Sequence, residues 1–386
     1  MRWATYERWV AQYDAAEEML DAQLIMDAAR LMKRLQPSAF LKTGALQTLC
    51  VRQVLEPWTF KLHFRSCNIG TPMVFTFLRQ TQKPRLEDSE TTGGMSDLAK
   101  RAIRRLARRR PRTWVPPGHY YSPIVDLDEL ALRRDVVFDR TRPPAGIELY
   151  PAEQLALIDR LTKHYNQLPF SAEKQPGLRY YYENPFYSYG DAILLSCLLM
   201  ELRPKRFVEF GSGYSSCVTL DINEHFLNNE LNCTFIDPYP KALEKLLSAE
   251  DRSRCRIVRS PAQDIDLGLV DALEAGDILF IDSTHVSKAG SDVNFHLFML
   301  LPRLKPGVYI HFHDVFYPFE YPEEWFFKEN RSWNELYVLR AFLMYNTEFK
   351  IVAFNHYLHL EHGSVVAASM PLFARNPGGG LWLQKR

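Results

Sequence analysis

Residues 208–216 read Val-Glu-Phe-Gly-Ser-Gly-Tyr-Ser-Ser, an apolar run that breaks at a glycine turn and then turns polar. The pattern is E-x-G-x-G, with Glu209 two positions before Gly211 and Ser216 where a third glycine would stand. Dinucleotide turns use three glycines to seat a pyrophosphate on a helix N-terminus. Glu209 would repel such an anion and favour a ligand carrying an ammonium or sulfonium group. Four more short apolar runs end in polar residues. Asp237 lies 24 residues after Gly213, placed to accept ribose hydroxyls. Ser260-Pro261-Ala262-Gln263-Asp264 is a polar turn suited to a base edge. Asp282-Ser283-Thr284-His285 and His313-Asp314 complete the set.

Ligands of a parallel sheet sit at the carboxyl ends of its strands, so the elements that deliver these residues must alternate strand and helix. The sequence allows this. Apolar runs at 206–210, 233–237, 256–259, 277–282 and 308–312 are short enough for strands buried on both faces. Helical segments fall near 190–202, 215–226, 240–248, 267–274, 290–303 and 334–345. A sixth strand is expected at 349–354, and a strand led by Gly378-Gly379-Gly380 is expected to insert antiparallel beside it. The predicted fold is α/β: a Rossmann-like, seven-stranded, mostly parallel sheet with helices on both faces.

Upstream, residues 5–36 have helical spacing of apolar positions, 54–78 have the composition of short strands, and 83–94 that of a linker. Residues 98–112 form a basic amphipathic segment, either a solvated helix or one that touches an anionic membrane surface. The expected division is a helical and mixed accessory region at 1–112, a connecting, substrate-side segment at 113–179, and the α/β domain at 180–386.

With 386 residues and 46% hydrophobic content the chain can bury a large core. A net charge of +1 gives no global electrostatic case for nucleic acid. No run of about 18 apolar residues predicts a transmembrane helix, and the N-terminus lacks an apolar signal region. Six cysteines without C-x-x-C spacing suit reduced thiols in a cytoplasmic protein.

Residues from about 180 onward resemble the class I S-adenosylmethionine-dependent methyltransferases, and within them the metal-dependent O-methyltransferases of the catechol and macrolide-sugar types. The resemblance rests on Gly190-Asp191-Ala192, the Glu209-x-Gly211-x-Gly213 turn, Asp237 and Ala262-Gln263-Asp264. It implies S-adenosylmethionine as cofactor, held by Glu209, Gly211, Gly213, Ser215, Asp237, Gln263, Asp264 and Asp282. It also implies a metal, Mg²⁺ or Mn²⁺, on Asp282, His313 and Asp314, with His313 departing from the family's all-oxygen ligands. The alternative is that Asp314 caps a turn and His313 serves a backbone carbonyl.

His285 falls where the family places its general base, and an imidazole of pKa about 6.5 suits removal of a hydroxyl proton. A satisfied loop histidine is the plainer reading. Asp282 would share the catalytic role.

Asp237-Pro238-Tyr239-Pro240 imitates the D-P-P-Y loop of base-methylating enzymes, but that loop belongs after strand four. Nucleobase methylation is therefore not expected. The tyrosine-rich run 180–189 and Tyr317 could wall an acceptor pocket, with Tyr187 and Tyr189 favoured, or could pack the core. His356, His359 and His362 are expected on the surface or in loops. The expected reaction is O-methylation of a small molecule or glycan. Its alternatives are a non-catalytic cofactor-binding assembly protein and an oxygenase-like enzyme on the same scaffold.

Overall fold

Alternation of short apolar runs with helices yields one seven-stranded sheet among residues 114–386, the part of the chain described by the computed structural model. The expectations for 1–112, including the basic segment 98–112, lie outside the described residues. The chain divides into two units at Ser122 and Pro123.

In order, the elements are α1 (Leu127–Leu132), α2 (Arg134–Val137), α3 (Pro151–Tyr165), α4 (Tyr189–Leu202), β1 (Arg206–Phe210), α5 (Tyr214–Phe226), β2 (Asn232–Ile236), α6 (Lys241–Leu246), α7 (Ala249–Arg254) and β3 (Arg256–Val258). They continue with α8 (Gly268–Asp271), β4 (Ile278–Ile281), α9 (Asp292–Phe295), β5 (Tyr309–Phe312), α10 (Glu323–Phe327), α11 (Glu335–Leu343), β6 (Phe349–Phe354), α12 (Asn355–Ser369) and β7 (Leu381–Lys385). The strand order is β3-β2-β1-β4-β5-β7-β6. β1 to β5 are parallel, and β7 runs antiparallel to both β5 and β6. The C-terminal ends of the five parallel strands share one edge, where every polar strand end of the sequence now stands.

The pleat sorts each strand between two cores. Phe207, Phe235, Phe280 and Trp382 face α3, α4 and α5 on one side. Val208, Phe210, Leu279, Ile281, Ile310 and Phe312 face α9 and α11 on the other. Helix α4 is apolar almost all round, and twelve of its fourteen residues are buried, as such a helix must be.

Several expectations are corrected. The helix expected at 290–303 is a short α9 followed by a π-helical turn at His296–Leu300 and a 3₁₀ turn at Leu301–Arg303, because Pro302 cannot continue an α-helix. Helix α7 was not anticipated, and neither was α12, which carries His356, His359 and His362. His356 is not a surface residue. It is buried, and its Nδ1 accepts the Tyr317 N–H at 3.1 Å.

Tyr187, Tyr189 and Tyr317 are all buried, at 2%, 3% and 4% exposure. The Tyr187 hydroxyl donates to the Asp191 carbonyl and that of Tyr189 to Glu183, while Tyr317 packs on Phe354 and Tyr357. Four cysteines among the described residues are free, three of them buried.

Arg179 fixes the aromatic run to the sheet domain. Its guanidinium donates to Asp221 and Glu224 at 2.7 Å each and also to Asp251, while the Asp221 carboxylate takes the N–H groups of Arg179 and Tyr180. Asp221 is fully buried and Asp251 nearly so. Removing one member of a buried ion group strands the others. Arg179→Ala should therefore lower stability by roughly 3–5 kcal/mol in urea denaturation, whereas Arg203→Ala, at a solvated helix end, should change it little.

Candidate functional site

The turn after β1 is built from beneath. Gly211 has φ +82°, and a Cβ there would lie 1.7 Å from the Asp282 carbonyl oxygen. Its N–H donates to the Ile236 carbonyl at 3.0 Å, and the Asp282 N–H donates to the Phe210 carbonyl at 2.9 Å. The glycine thus lets the ends of β1, β2 and β4 close on one another. Gly213 differs: no protein atom lies within 4 Å of its would-be Cβ, so it borders open space.

Glu209 is fully buried. Ser215 Oγ donates to one of its oxygens, and Ser216 Oγ to the other at 2.8 Å, while Ser216 Oγ also accepts the Gly213 N–H. Burial pushes the Glu209 carboxyl up to about 8, against the two serine hydrogen bonds. Glu209 and Ser215 are therefore the floor of the turn. Asp237 accepts from Ser212 Oγ and from the Tyr239 N–H, both at 2.7 Å. Gln263 is exposed and donates to the Gly290 carbonyl at 2.7 Å, and Asp264 is exposed beside it in a 3₁₀ turn.

The ends of β4 and β5 bring Asp282, His285, His313 and Asp314 together. His285 Nε2 lies 3.3 Å from Asp282 Oδ1 and 3.6 Å from Asp314 Oδ2. His313 Nδ1 lies 3.4 Å from the same Asp282 oxygen and 3.7 Å from Asp314 Oδ1. Behind each ring stands another carboxylate. His285 Nδ1 meets Glu335 Oε2 at 2.9 Å, and His313 Nε2 meets Asp191 Oδ2 at 3.3 Å. Two carboxylate-backed imidazoles thus converge on two aspartates.

Burial alone would lower the pKa of either histidine. The Asp282 and Glu335 carboxylates overturn that and push His285 up to about 10, and Asp282, Asp314 and Asp191 raise His313 well above its ordinary value. Burial would raise Asp282, but the two imidazoles hold it far below the usual carboxylate range. Asp314 and Glu335 are raised, mainly by burial.

His285 is locked in place by its surroundings. It sits at φ +58°, a costly conformation for histidine, and its carbonyl accepts the N–H groups of Asn334 and Glu335 at 3.1 Å each, capping α11. Trp333 stacks on its ring at 4.3 Å between centroids.

Glu335, Trp333 and Asp191 are the site residues that sequence reasoning missed as functional. Glu335 stands fifty residues from its partner and no local spacing could reveal it. Asp191 had a signal in the glycine run at 378–380. A Cβ on Gly378 would fall 1.8 Å from Asp191 Oδ2, and one on Gly380 would fall 3.0 Å from Asp191 Oδ1.

Residues 208–315, the span from β1 to the end of β5, match the family model Methyltransf_24, described as a methyltransferase domain. Over 164 residues the chain is 31% identical to an uncharacterized protein of Archaeoglobus fulgidus, covering 41% of this chain and 73% of that protein. The chain belongs to the class I S-adenosylmethionine-dependent methyltransferases.

Among solved structures it is similar to the Podospora anserina methyltransferase PaMTH1 bound to S-adenosylhomocysteine, at 13% identity and a TM-score of 0.35, covering 71% of this chain and 99% of that one. It is also similar to the O-methyltransferase TomG of Streptomyces achromogenes in complex with S-adenosylmethionine, at 13% identity and a TM-score of 0.34, covering 67% and 96%. Scores this low carry no weight for the chemistry. No helix among the described residues is long and apolar enough to cross a membrane.

The two glycines should separate experimentally. Gly211→Ala should lower stability by about 2 kcal/mol or more, since a clash with backbone joins a strained φ. Gly213→Ala should keep the stability of the wild type but weaken S-adenosylmethionine binding at least about tenfold in calorimetry.

Glu209 gives a pH signature. Its pKa is raised on folding, so its stabilising contribution is present below the unfolded value and is lost as pH rises through about 8. Glu209→Gln should therefore gain stability on the ligand-free wild type, by a few kcal/mol, in urea titrations stepped from about pH 5 to about pH 9.

Proposed function

We propose that the chain transfers the methyl group of S-adenosylmethionine to a hydroxyl oxygen of a small molecule or glycan, at the edge where β1, β4 and β5 end. The observation that carries this is the imidazole of His285, aimed by Glu335 between Asp282 and Asp314. Glu209, Gly211, Gly213 and Ser215 form the turn that takes the methionine end, Asp237 the ribose, and Gln263 with Asp264 the adenine. Asp237 is half-buried at the turn and Gln263 exposed, both open toward a ligand on that edge. In the transfer the acceptor oxygen forms a bond to the methyl carbon, the sulfur keeps the electron pair of the bond that breaks, and the hydroxyl proton passes to His285 Nε2. Glu335 holds the Nδ1 proton, so that Nε2 is the nitrogen presented.

His285 acts as a base only when the negative charge of Asp282 and Asp314 is met by another cation. Alone, the Asp282 and Glu335 carboxylates keep the imidazole protonated at neutral pH. The residues suit a divalent ion: His313 Nδ1, buried without a hydrogen-bond partner, lies 3.4 Å from Asp282 Oδ1 and 3.7 Å from Asp314 Oδ1. Asp282, Asp314 and His313 would hold the ion, leaving His285 free. A mixed oxygen and imidazole set favours Mn²⁺ over Mg²⁺. Such an ion, when bound, lowers the pKa of the acceptor hydroxyl. The segment from Pro123 onward supports the acceptor side: Arg134 pairs with Glu323 at 2.5 Å, and Phe138 packs on Phe326 and Phe327.

His285→Ala should cut S-adenosylhomocysteine formation by about 10²–10⁴-fold while leaving calorimetric S-adenosylmethionine affinity and Mn²⁺ affinity intact. His313→Ala and Asp282→Asn should lose Mn²⁺ affinity, read by electron paramagnetic resonance. Unchanged turnover in His285→Ala would remove the base assignment, and unchanged Mn²⁺ binding in His313→Ala would remove the metal assignment.

A further inference from the structure

The loop from 315 to 334, between β5 and α11, carries a device that methyl transfer as described above does not use. Arg331 lays its guanidinium over two indoles, with Cζ 4.2 Å from the ring centre of Trp325 and 4.6 Å from that of Trp333. The indoles meet edge-on at 5.2 Å. Trp333 is also the ring stacked on His285, so the guanidinium lies no farther from His285 than those two short steps laid end to end. The Arg331 N–H donates to the Trp325 carbonyl at 2.8 Å, and Tyr321 and Phe316 pack on Trp325 at 5.7 and 5.1 Å. The carboxylate partner of Arg331 is Glu329 at 2.6 Å, in a pair half-buried at the arginine and exposed at the glutamate. Such a pair is weak and easily exchanged.

A guanidinium held against two aromatic rings loses much of its freedom while its N–H groups stay available along the edges. That is the arrangement for forked recognition of a carboxylate or phosphate, and a lysine would not reproduce it. Asp282, Asp314 and Glu335 surround that ring, and an acceptor bearing a negative group would be repelled on approach unless a positive group received it.

We infer that Arg331 is the anion anchor of the acceptor site. The acceptor is a compact ring compound whose hydroxyl reaches His285 and whose carboxylate, one ring away, replaces Glu329 on Arg331. Trp325 and Trp333 position the arginine, and Trp333 joins it to His285. This reading rests on the proposed methyl transfer and deepens it by naming the class of acceptor.

The test uses the full chain loaded with S-adenosylhomocysteine and follows tryptophan fluorescence on titration with two matched pairs: 4-hydroxybenzoate against phenol, and methyl glucuronoside against methyl glucoside. In at least one pair the carboxylated member should bind the wild type about tenfold more tightly or better. Arg331→Ala should bring the two members within about twofold, and Arg331→Lys should not restore the difference. Glu329→Gln should strengthen binding of the carboxylated member, since it removes the competitor.

S-adenosylhomocysteine affinity should stay unchanged in all three variants, showing that the domain remains folded. The anchor is overturned if the carboxylate gives no advantage in either pair, if neither pair binds, or if the advantage survives in Arg331→Ala. Failure of the methyl-transfer reading is distinct, because the wild type would then bind no cofactor, or would bind S-adenosylmethionine and the acceptor without forming S-adenosylhomocysteine.

Discussion

Asp282 and Asp314 follow adjacent parallel strands, and the sheet spacing of about 4.8 Å brings two half-buried carboxylates together. Much of the surrounding structure answers that one constraint. Two like charges partly withdrawn from water repel and lose some hydration, and imidazoles are packed on both sides of them. Each imidazole would itself be costly to charge when buried, so a further carboxylate stands behind each, Glu335 for His285 and Asp191 for His313. The result is an alternating row of acids and bases across the sheet edge. One nitrogen of each imidazole faces the Asp282 and Asp314 pair, and the other faces the carboxylate behind it.

Geometry of this kind needs loops that cannot relax. His285 and Asp314 both occupy the left-handed region, at φ +58° each, without being glycine. Strain of that sort persists where neighbours over-determine the conformation. The neighbours are on view for His285: a carbonyl that caps α11, a ring clasped between Glu335 and Trp333, and a reciprocal pair in which the Ser287 N–H and carbonyl meet the side chain of Asn334. Gly211 plays the matching part in the turn after β1 by removing a Cβ that would hold β1 and β4 apart.

Strand ends could be read from the chain because parallel strands buried on both faces are short, wholly apolar and stop abruptly at polar residues. That made Glu209, Asp237, Asp282 and Asp314 conspicuous. What stayed hidden depends on contacts between residues far apart in sequence. Glu335 opens a helix whose apolar spacing announces only packing, and nothing near it mentions a histidine fifty residues earlier. The tyrosines of 180–189 misled for the opposite reason. Their amphipathic rings suit a ligand wall and a core equally, and only the hydrogen bonds from their hydroxyls to Asp191, Glu183 and Tyr187 decide for the core. His356 likewise reveals its role only through the turn it holds at Tyr317.

β7 lies between β5 and β6, inside the sheet, yet it is made after both of them. Its leading glycines bring the Gly379 N–H against Asp191 and its strand pairs with β5 along Phe312, the residue before His313. During synthesis the facing edges of β5 and β6 therefore stay unpaired until residues 377–385 have left the ribosome, and until then Asp191 lacks part of the frame that aims it at His313. The glycine turn, Asp282 and His285 are all translated earlier, so the chain acquires the parts of its site well before it acquires the wedge that closes the sheet around them. Alignment of the strand-end cluster is thereby tied to this strand, and a chain stopped short of it would carry Asp282, His285 and His313 without the frame that aims Asp191.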